Sequence, residues 1–178
     1  MHIIGILNNM NKNEARKYSL DIRKNKDSIT ASATVVDALI SSNILNSYQH
    51  IGIYYPIGKE INIMELVNKY PNKEFYLPVT NEELVFKKYK LGDELLKGPF
   101  NTHEPIGQIV DRDIIECFII PCVAISKNNQ RIGYGKGYYD RYLMNYNGLK
   151  IGVCYKESGE LAVDCDSFDV VLDYKIVG

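Results

Sequence analysis

The sequence predicts an α/β fold: a single three-layer α/β/α domain on a mostly parallel central sheet. Three observations predict it. Short β-branched or aromatic runs alternate with segments of helical periodicity. Residues 117–125 (CFIIPCVAI) are nearly all apolar, the pattern of a strand covered on both faces. No Gly/Ser/Pro-rich linker, internal repeat or low-complexity tract divides the 178 residues, and that length suits one core.

The elements follow in order. Residues 1–9 (MHIIGILNN) are apolar but too short to span a bilayer, and they lack the basic start and cleavage site of a secretory signal. The stretch up to Met10 reads as an extension or a short strand. Residues 11–25 read as a helix, with Ala15, Tyr18, Leu20 and Ile22 on a partial apolar face and Lys12, Arg16, Lys17, Arg23 and Lys24 on a basic one. Asp27 or Ser28 caps a second helix through Ala38 and Ile40. Residues 50–56 (HIGIYYP) read as a buried strand ended by proline, and 62–69 as a helix. Residues 74–78 (EFYLP) form a strand and 84–89 (LVFKKY) a strand or hairpin arm, while 98–105 are loop-like. After the buried run 117–125 come a polar turn, a helix opening near Tyr138, a strand over 150–155 and a closing strand within 168–177.

Composition excludes several classes. Apolar residues make up 46%, charged residues 24%, and the formal net charge is −1. That balance lacks the basic excess of a nucleic-acid binder, and neither nucleic acid nor membrane is an expected partner. Cys117, Cys122, Cys154 and Cys165 show no CxxC spacing, which argues against a zinc ribbon or a thioredoxin-like motif. They read as reduced thiols, consistent with a cytoplasmic protein. His2, His50 and His103 are scattered, without metal-ligand spacing. The 14 tyrosines offer flat surface plus a hydroxyl, for core packing or for an aromatic ligand. A monomer is the default expectation.

Residues 131–141 read RIGYGKGYYDR. Gly133, Gly135 and Gly137 alternate between a buried strand and the start of a helix. Glycines let backbone N–H groups approach oxygens closely. A helix N-terminus adds partial positive charge, and Arg131 and Lys136 add full charges. The spacing is neither GxGxxG nor GxxxxGK[ST], so it is no Rossmann fingerprint or P-loop. Taken alone it suits a phosphate site or a tight solvated turn.

The whole string resembles the signature of the 5-formyltetrahydrofolate cyclo-ligase (methenyltetrahydrofolate synthetase) family, without a gap from Arg131 to Arg141. Five further segments fall in the family's order: KNEARK (12–17), YYPIGKEIN (54–62), YLPV (76–79), GPFNTHEP (98–105) and FDVVLD (168–173). The departures are Thr102-His103, where the family often has Gly-Ile, and Ile125-Ser126, where it often has Phe-Asp. Residues 1–9 have no clear counterpart.

The resemblance implies an enzyme of one-carbon metabolism that uses ATP with Mg²⁺. It would convert 5-formyltetrahydrofolate, with or without a polyglutamate tail, to 5,10-methenyltetrahydrofolate, ADP and phosphate through a phosphorylated formyl group. Such chemistry needs placement and charge neutralisation more than an enzyme nucleophile. Lys12 and Arg16, four apart, share a helix face, and the resemblance places them on the ATP phosphates. Residues Arg131, Ile132, Gly133, Tyr134, Gly135, Lys136, Gly137, Tyr138 and Tyr139 would wrap the triphosphate. Tyr54, Tyr55 and Glu60 would hold the folate, joined by Tyr134, Gly135, Lys136, Gly137 and Tyr138 where the two substrates meet. Tyr138, Lys136 and Arg131 are the expected catalytic residues. Asp140 is the first candidate ligand for Mg²⁺ and Asp169 the second. As plain alternatives, Asp140 answers the helix dipole and Asp169 is an acid at a strand edge. The role of Arg23 stays open. Lys87, Lys88 and Lys90 are a candidate basic track for glutamate tails. Two other functions share these features: another ATP-dependent transferase, and a non-catalytic nucleotide-binding regulator.

Overall fold

Asn11 starts the first helix, α1 (Lys12–Lys24), through a reciprocal cap. Its side chain accepts from the N–H groups of Asn13 and Glu14, and the Glu14 carboxylate takes the Asn11 N–H at 2.8 Å. Asp27 caps α2 (Ser28–Ser41) from one side only, its carboxylate accepting from the N–H groups of Ile29 and Thr30. Both helices thus begin where the sequence places short polar residues. The structure, a computed structural model, describes residues 9–178. The expectation for residues 1–8 lies outside the described residues. Met10 is already tied to the body of the protein, its N–H donating to the Ala162 carbonyl at 2.7 Å.

The chain continues through β1 (His50–Gly52), α3 (Glu65–Lys69), β2 (Glu74–Thr80), β3 (Leu84–Tyr89), β4 (Leu95–Lys97) and β5 (His103–Pro105). It closes with β6 (Ile109–Val110), β7 (Cys117–Pro121), β8 (Ala124–Ile125), β9 (Arg131–Ile132), α4 (Tyr138–Tyr142), β10 (Leu149–Cys154) and β11 (Tyr174–Val177). Seven strands form the main sheet in the order β11-β10-β7-β1-β2-β3-β6. The first five run parallel, and β3 and β6 add antiparallel pairings at one edge. The mostly parallel sheet is as expected.

Alternation along the strands builds two cores. Phe75, Leu77, Cys117 and Ile119 face α2 and α3, packing with Val35, Leu39 and Leu66. Tyr76, Phe118 and Ile120 face the other way, toward Tyr139 and Leu143. Helices therefore cover both faces, the α/β/α layering that burial on both sides requires. Phe118 is central to the second core, edge-on to Phe86, Tyr142 and Tyr146 at centroid distances of 5.0, 5.8 and 5.1 Å. Phe118→Ala should lower unfolding free energy by about 3–5 kcal/mol, measured by urea titration.

Several boundaries differ from expectation. The apolar run 117–125 is two strands, because the main-sheet strand ends at Pro121 and Val123 turns its N–H to the Ile132 carbonyl. Proline has no N–H with which to continue the ladder, and burial on both sides hides the break in the sequence. Residues 98–105 are not all loop: β5 pairs antiparallel with β4 across a turn holding Phe100 and Asn101 at φ 60° and 58°. The strand of 50–56 narrows to β1, and the helix of 62–69 to α3. The inward line of α1 is Ala15, Ser19 and Arg23; of the apolar set read from the sequence only Ala15 is on it, Leu20 and Ile22 are part-buried, and Tyr18 is exposed. The register also carries the Lys87–Lys90 segment toward the start of β2: Leu84 lies opposite Thr80, whereas Lys88 lies opposite Tyr76 and pairs with Glu74.

Candidate active site

Strand β1 has β2 on one side and β7 on the other, and the chain leaves β1 for β2 before returning for β7. At such a reversal the connections part and leave a crevice beyond the carboxyl ends of the strands. A cavity of about 360 Å³ opens there. Tyr54 and Tyr55, just past β1, form one wall, and Pro121 at the end of β7 the next.

The glycine segment between β9 and α4 forms the opposite wall. Gly135 and Gly137 have φ of 96° and 68°, conformations that favour glycine. At Gly133 a Cβ would lie 2.5 Å from Arg131 Nη1, so any larger residue would displace that guanidinium. Arg16 reaches across from α1, its Nε donating to the Gly133 carbonyl at 2.7 Å. Arg131 is buried behind the loop, with Nε on the Pro121 carbonyl at 3.0 Å and its guanidinium 4.6 Å from the Tyr139 ring centroid. Lys136 is exposed at the cavity rim. Helix α4 has only five residues. Its dipole is therefore a small part of the positive field expected of a helix start, and the cations and loop N–H groups carry the rest.

Two further groups complete the cavity. Glu60 is 6% exposed, takes the Ile57 N–H at 2.8 Å on Oε2 and the Tyr134 hydroxyl at 2.9 Å on Oε1. Burial pushes its pKa up, against the pull of those two hydrogen bonds and of Arg23 and Arg131. Burial also moves the Tyr134 hydroxyl up to about 12, so it stays a protonated donor at neutral pH. Tyr138 donates to the Asn81 carbonyl at 3.2 Å, while Arg141 stacks over its ring at 5.3 Å and holds the Lys136 carbonyl.

The acids are less alike than the sequence suggests. Asp140 Oδ1 accepts the Val170 N–H at 3.1 Å, and Oδ2 takes no hydrogen bond among the described residues. Asp169 has both oxygens engaged, by Lys12 Nζ at 2.6 and 2.5 Å and by the Asp166 N–H at 2.7 Å. Lys12 also pairs with Asp166 at 2.6 Å. Both Asp140 and Asp169 line the cavity. Among the described residues no group of three or more His, Cys, Asp or Glu gathers as a metal cage. A Mg²⁺ held mainly by phosphates and water needs only one or two carboxylates, so Asp140, with Asp169 nearby in the cavity wall, fits that ion.

Every residue singled out in the sequence for catalysis, ATP, the pterin or metal lines this one cavity, whereas Lys87, Lys88 and Lys90, the candidate track for glutamate tails, do not. The sequence reading passed over Pro78, Thr80 and Leu84, which the β2–β3 hairpin brings in, and His103, which packs on Tyr55 at a centroid distance of 4.5 Å. Thr80 and Leu84 carry no chemical signal; the order of the YLPV and GPFNTHEP segments among their neighbours was the only hint at Pro78 and His103.

Comparison with known proteins agrees with the geometry. The model of the 5-formyltetrahydrofolate cyclo-ligase family matches residues 8–177. The 5-formyltetrahydrofolate cyclo-ligase of Mycoplasma pneumoniae is 31% identical over 175 residues, covering 92% of this chain and 96% of the relative. That of Haemophilus influenzae is 25% identical, covering 95% and 100%. The solution structure of Aquifex aeolicus 5,10-methenyltetrahydrofolate synthetase superposes with a TM-score of 0.82 at 30% identity, covering 94% of this chain and 90% of that one. The Mycoplasma pneumoniae synthetase structure gives 0.77 at 27% identity, covering 94% and 98%. Matched along almost its whole length in sequence and fold, the chain belongs to the 5-formyltetrahydrofolate cyclo-ligase family of ligases.

Proposed function

We propose that this chain uses ATP with Mg²⁺ to close 5-formyltetrahydrofolate to 5,10-methenyltetrahydrofolate, releasing ADP and phosphate. The observation that carries the reading is the single cavity walled by a cation-backed glycine loop on one side and by Glu60 with Tyr54 and Tyr55 on the other. The formyl oxygen attacks the γ-phosphorus and the bond to ADP breaks. Nitrogen 10 then attacks the activated formyl carbon, its proton leaves, and phosphate departs. The work of the protein is alignment and charge neutralisation.

The loop N–H groups from Gly133 to Gly137, with Arg16 and Lys136, hold the phosphates. Arg131 and Tyr139 support that loop from beneath, and Ile132 packs into the core behind it. Glu60 accepts from the donor edge of the pterin. Tyr138, pinned between Asn81 and Arg141, stands where formyl group and γ-phosphate meet. Asp140 is the assigned Mg²⁺ ligand, and the ion would neutralise phosphate charge there. Asp169 joins it only if Lys12 leaves for the phosphates.

The test mixes protein, ATP, Mg²⁺ and 5-formyltetrahydrofolate and follows the methenyl product by absorbance, with phosphate release in parallel. Folate-dependent phosphate release with product is expected. Phosphate released with a different folate or another acceptor marks another transferase, and ATP bound without release marks a regulator; either overturns the proposal. Lys136→Ala should raise the KM for ATP about tenfold before kcat falls, since an exposed charge on bound phosphates contributes to ground state and transition state alike. Steady-state kinetics at varied ATP checks it.

A further inference from the structure

Helix α1 turns Ala15, Ser19 and Arg23 inward. A helix held by packing alone buries an apolar stripe there. Arg23 is 7% exposed, and its donors are spent on specific partners. Nη1 donates to the Tyr134 hydroxyl at 2.8 Å and Nη2 to the Cys122 carbonyl at 3.2 Å. The buried Nε has no partner among the described residues. An orphaned buried donor costs stability, so this arginine is poorly explained as a packing residue.

Donor logic sets the direction of the chain. A guanidinium only donates. The Tyr134 oxygen therefore accepts from Arg23, and its own hydrogen is left for Glu60 Oε1 at 2.9 Å. Glu60 Oε2 receives the Ile57 N–H. Both carboxylate oxygens face donors, which suits the ionised form. Tyr155 braces the same corner: its ring lies 5.9 Å from the Arg23 guanidinium, and its hydroxyl donates to the carbonyl of Lys59, next to Glu60.

We propose that Arg23 is a positioning residue of the folate site, holding Glu60 as an aimed carboxylate through the hydroxyl of Tyr134. The inference rests on the proposed role of Glu60 toward the pterin. A lysine could not do the same, since two donors in a fixed fork are needed to hold Cys122 and Tyr134 together. The other groups facing Glu60 are Arg131 from β9 and the side chains of Tyr54, Tyr139, Tyr155 and Cys122. Burial raises the pKa of those last four, so they stay neutral, and Arg23 and Arg131 are the cations that oppose the desolvation of Glu60.

The test follows the Glu60 carboxyl carbon by NMR titration, assigned with Glu60→Gln, alongside the pH dependence of affinity for 5-formyltetrahydrofolate. Arg23→Gln and Tyr134→Phe should each move the Glu60 midpoint up by about one pH unit. The double variant should move it by clearly less than the sum of the two single shifts, and Arg23→Lys should move it less than Arg23→Gln. Folate affinity in both single variants should drop by up to about tenfold on the acid side of the Glu60 midpoint and recover as pH rises above it, because a higher midpoint shifts the acid limb upward. Should Arg23→Gln fail to fold, Tyr134→Phe still decides, since it deletes one hydroxyl from a half-exposed ring. An unchanged midpoint in Tyr134→Phe overturns the inference, as does a moved midpoint with an unchanged affinity profile. Absence of folate affinity in the unmodified protein, with the midpoints shifting as described, overturns the proposed function and leaves the relay standing.

Discussion

Gly135→Val is expected to weaken ATP binding by about 100-fold or more while the protein stays folded. Gly135 sits at φ 96°, where a β-branched residue is strained whatever space surrounds it. The added Cβ would also come 3.3 Å from the Arg16 Cζ, and Arg16 is anchored to the Gly133 carbonyl two residues earlier. The loop can relieve the strain only by flipping, which turns its N–H groups off the phosphates and drags Arg16 with them. Backbone strain of about 1–3 kcal/mol plus lost phosphate contacts reaches the roughly 2.7 kcal/mol that a 100-fold loss requires. Thermal stability should change little, because residues 134–136 are exposed and contribute nothing to either core. Calorimetric titration with ATP, beside a melting curve, checks both halves. Unaltered ATP affinity would show that this loop does not hold the nucleotide.

That prediction starts from residues whose meaning is local, and local meaning is what the sequence displays best. Asn11 and Asp27 cap helices because short polar side chains reach the next N–H groups, whatever lies elsewhere in the chain. The glycines at 133, 135 and 137 signal a backbone that must bend or approach closely, and the structure places them on the cavity wall. Non-local geometry was less legible. An apolar run buried on both sides reads alike as one strand or as two separated by Pro121, since burial erases the periodicity that would mark the break. Thr80 and Leu84 reach the cavity only because the β2–β3 register ends there. Lys12, Arg16 and Arg23 look alike as a basic helix face, yet they end in three different places: an acidic pair, a loop carbonyl and a tyrosine hydroxyl. Helical spacing gives a shared side of the helix, not the partner that tertiary packing supplies.

The two aspartates offer the sharpest separation of roles. Asp140→Ala should lower kcat by about 1000-fold, a loss of roughly 4 kcal/mol in transition-state stabilisation, and raise the Mg²⁺ concentration needed for half-maximal rate. The cost to folding should be only about 1 kcal/mol, the value of the one hydrogen bond from the Val170 N–H. Asp169→Asn should behave differently. Its carboxylate is buried against Lys12 and the Asp166 N–H, so losing its charge loosens Lys12 first. ATP affinity should then change while the Mg²⁺ requirement stays near normal. Varying ATP and Mg²⁺ independently in both variants separates the two effects. An equal rise in Mg²⁺ requirement for both would mean that Lys12 surrenders Asp169 when the nucleotide arrives, and that the metal then rests on two carboxylates. A normal Mg²⁺ requirement and rate in Asp140→Ala would remove the metal from this wall of the cavity. The asymmetry rests on one structural difference: Asp140 keeps an oxygen without a hydrogen bond among the described residues, and Asp169 does not.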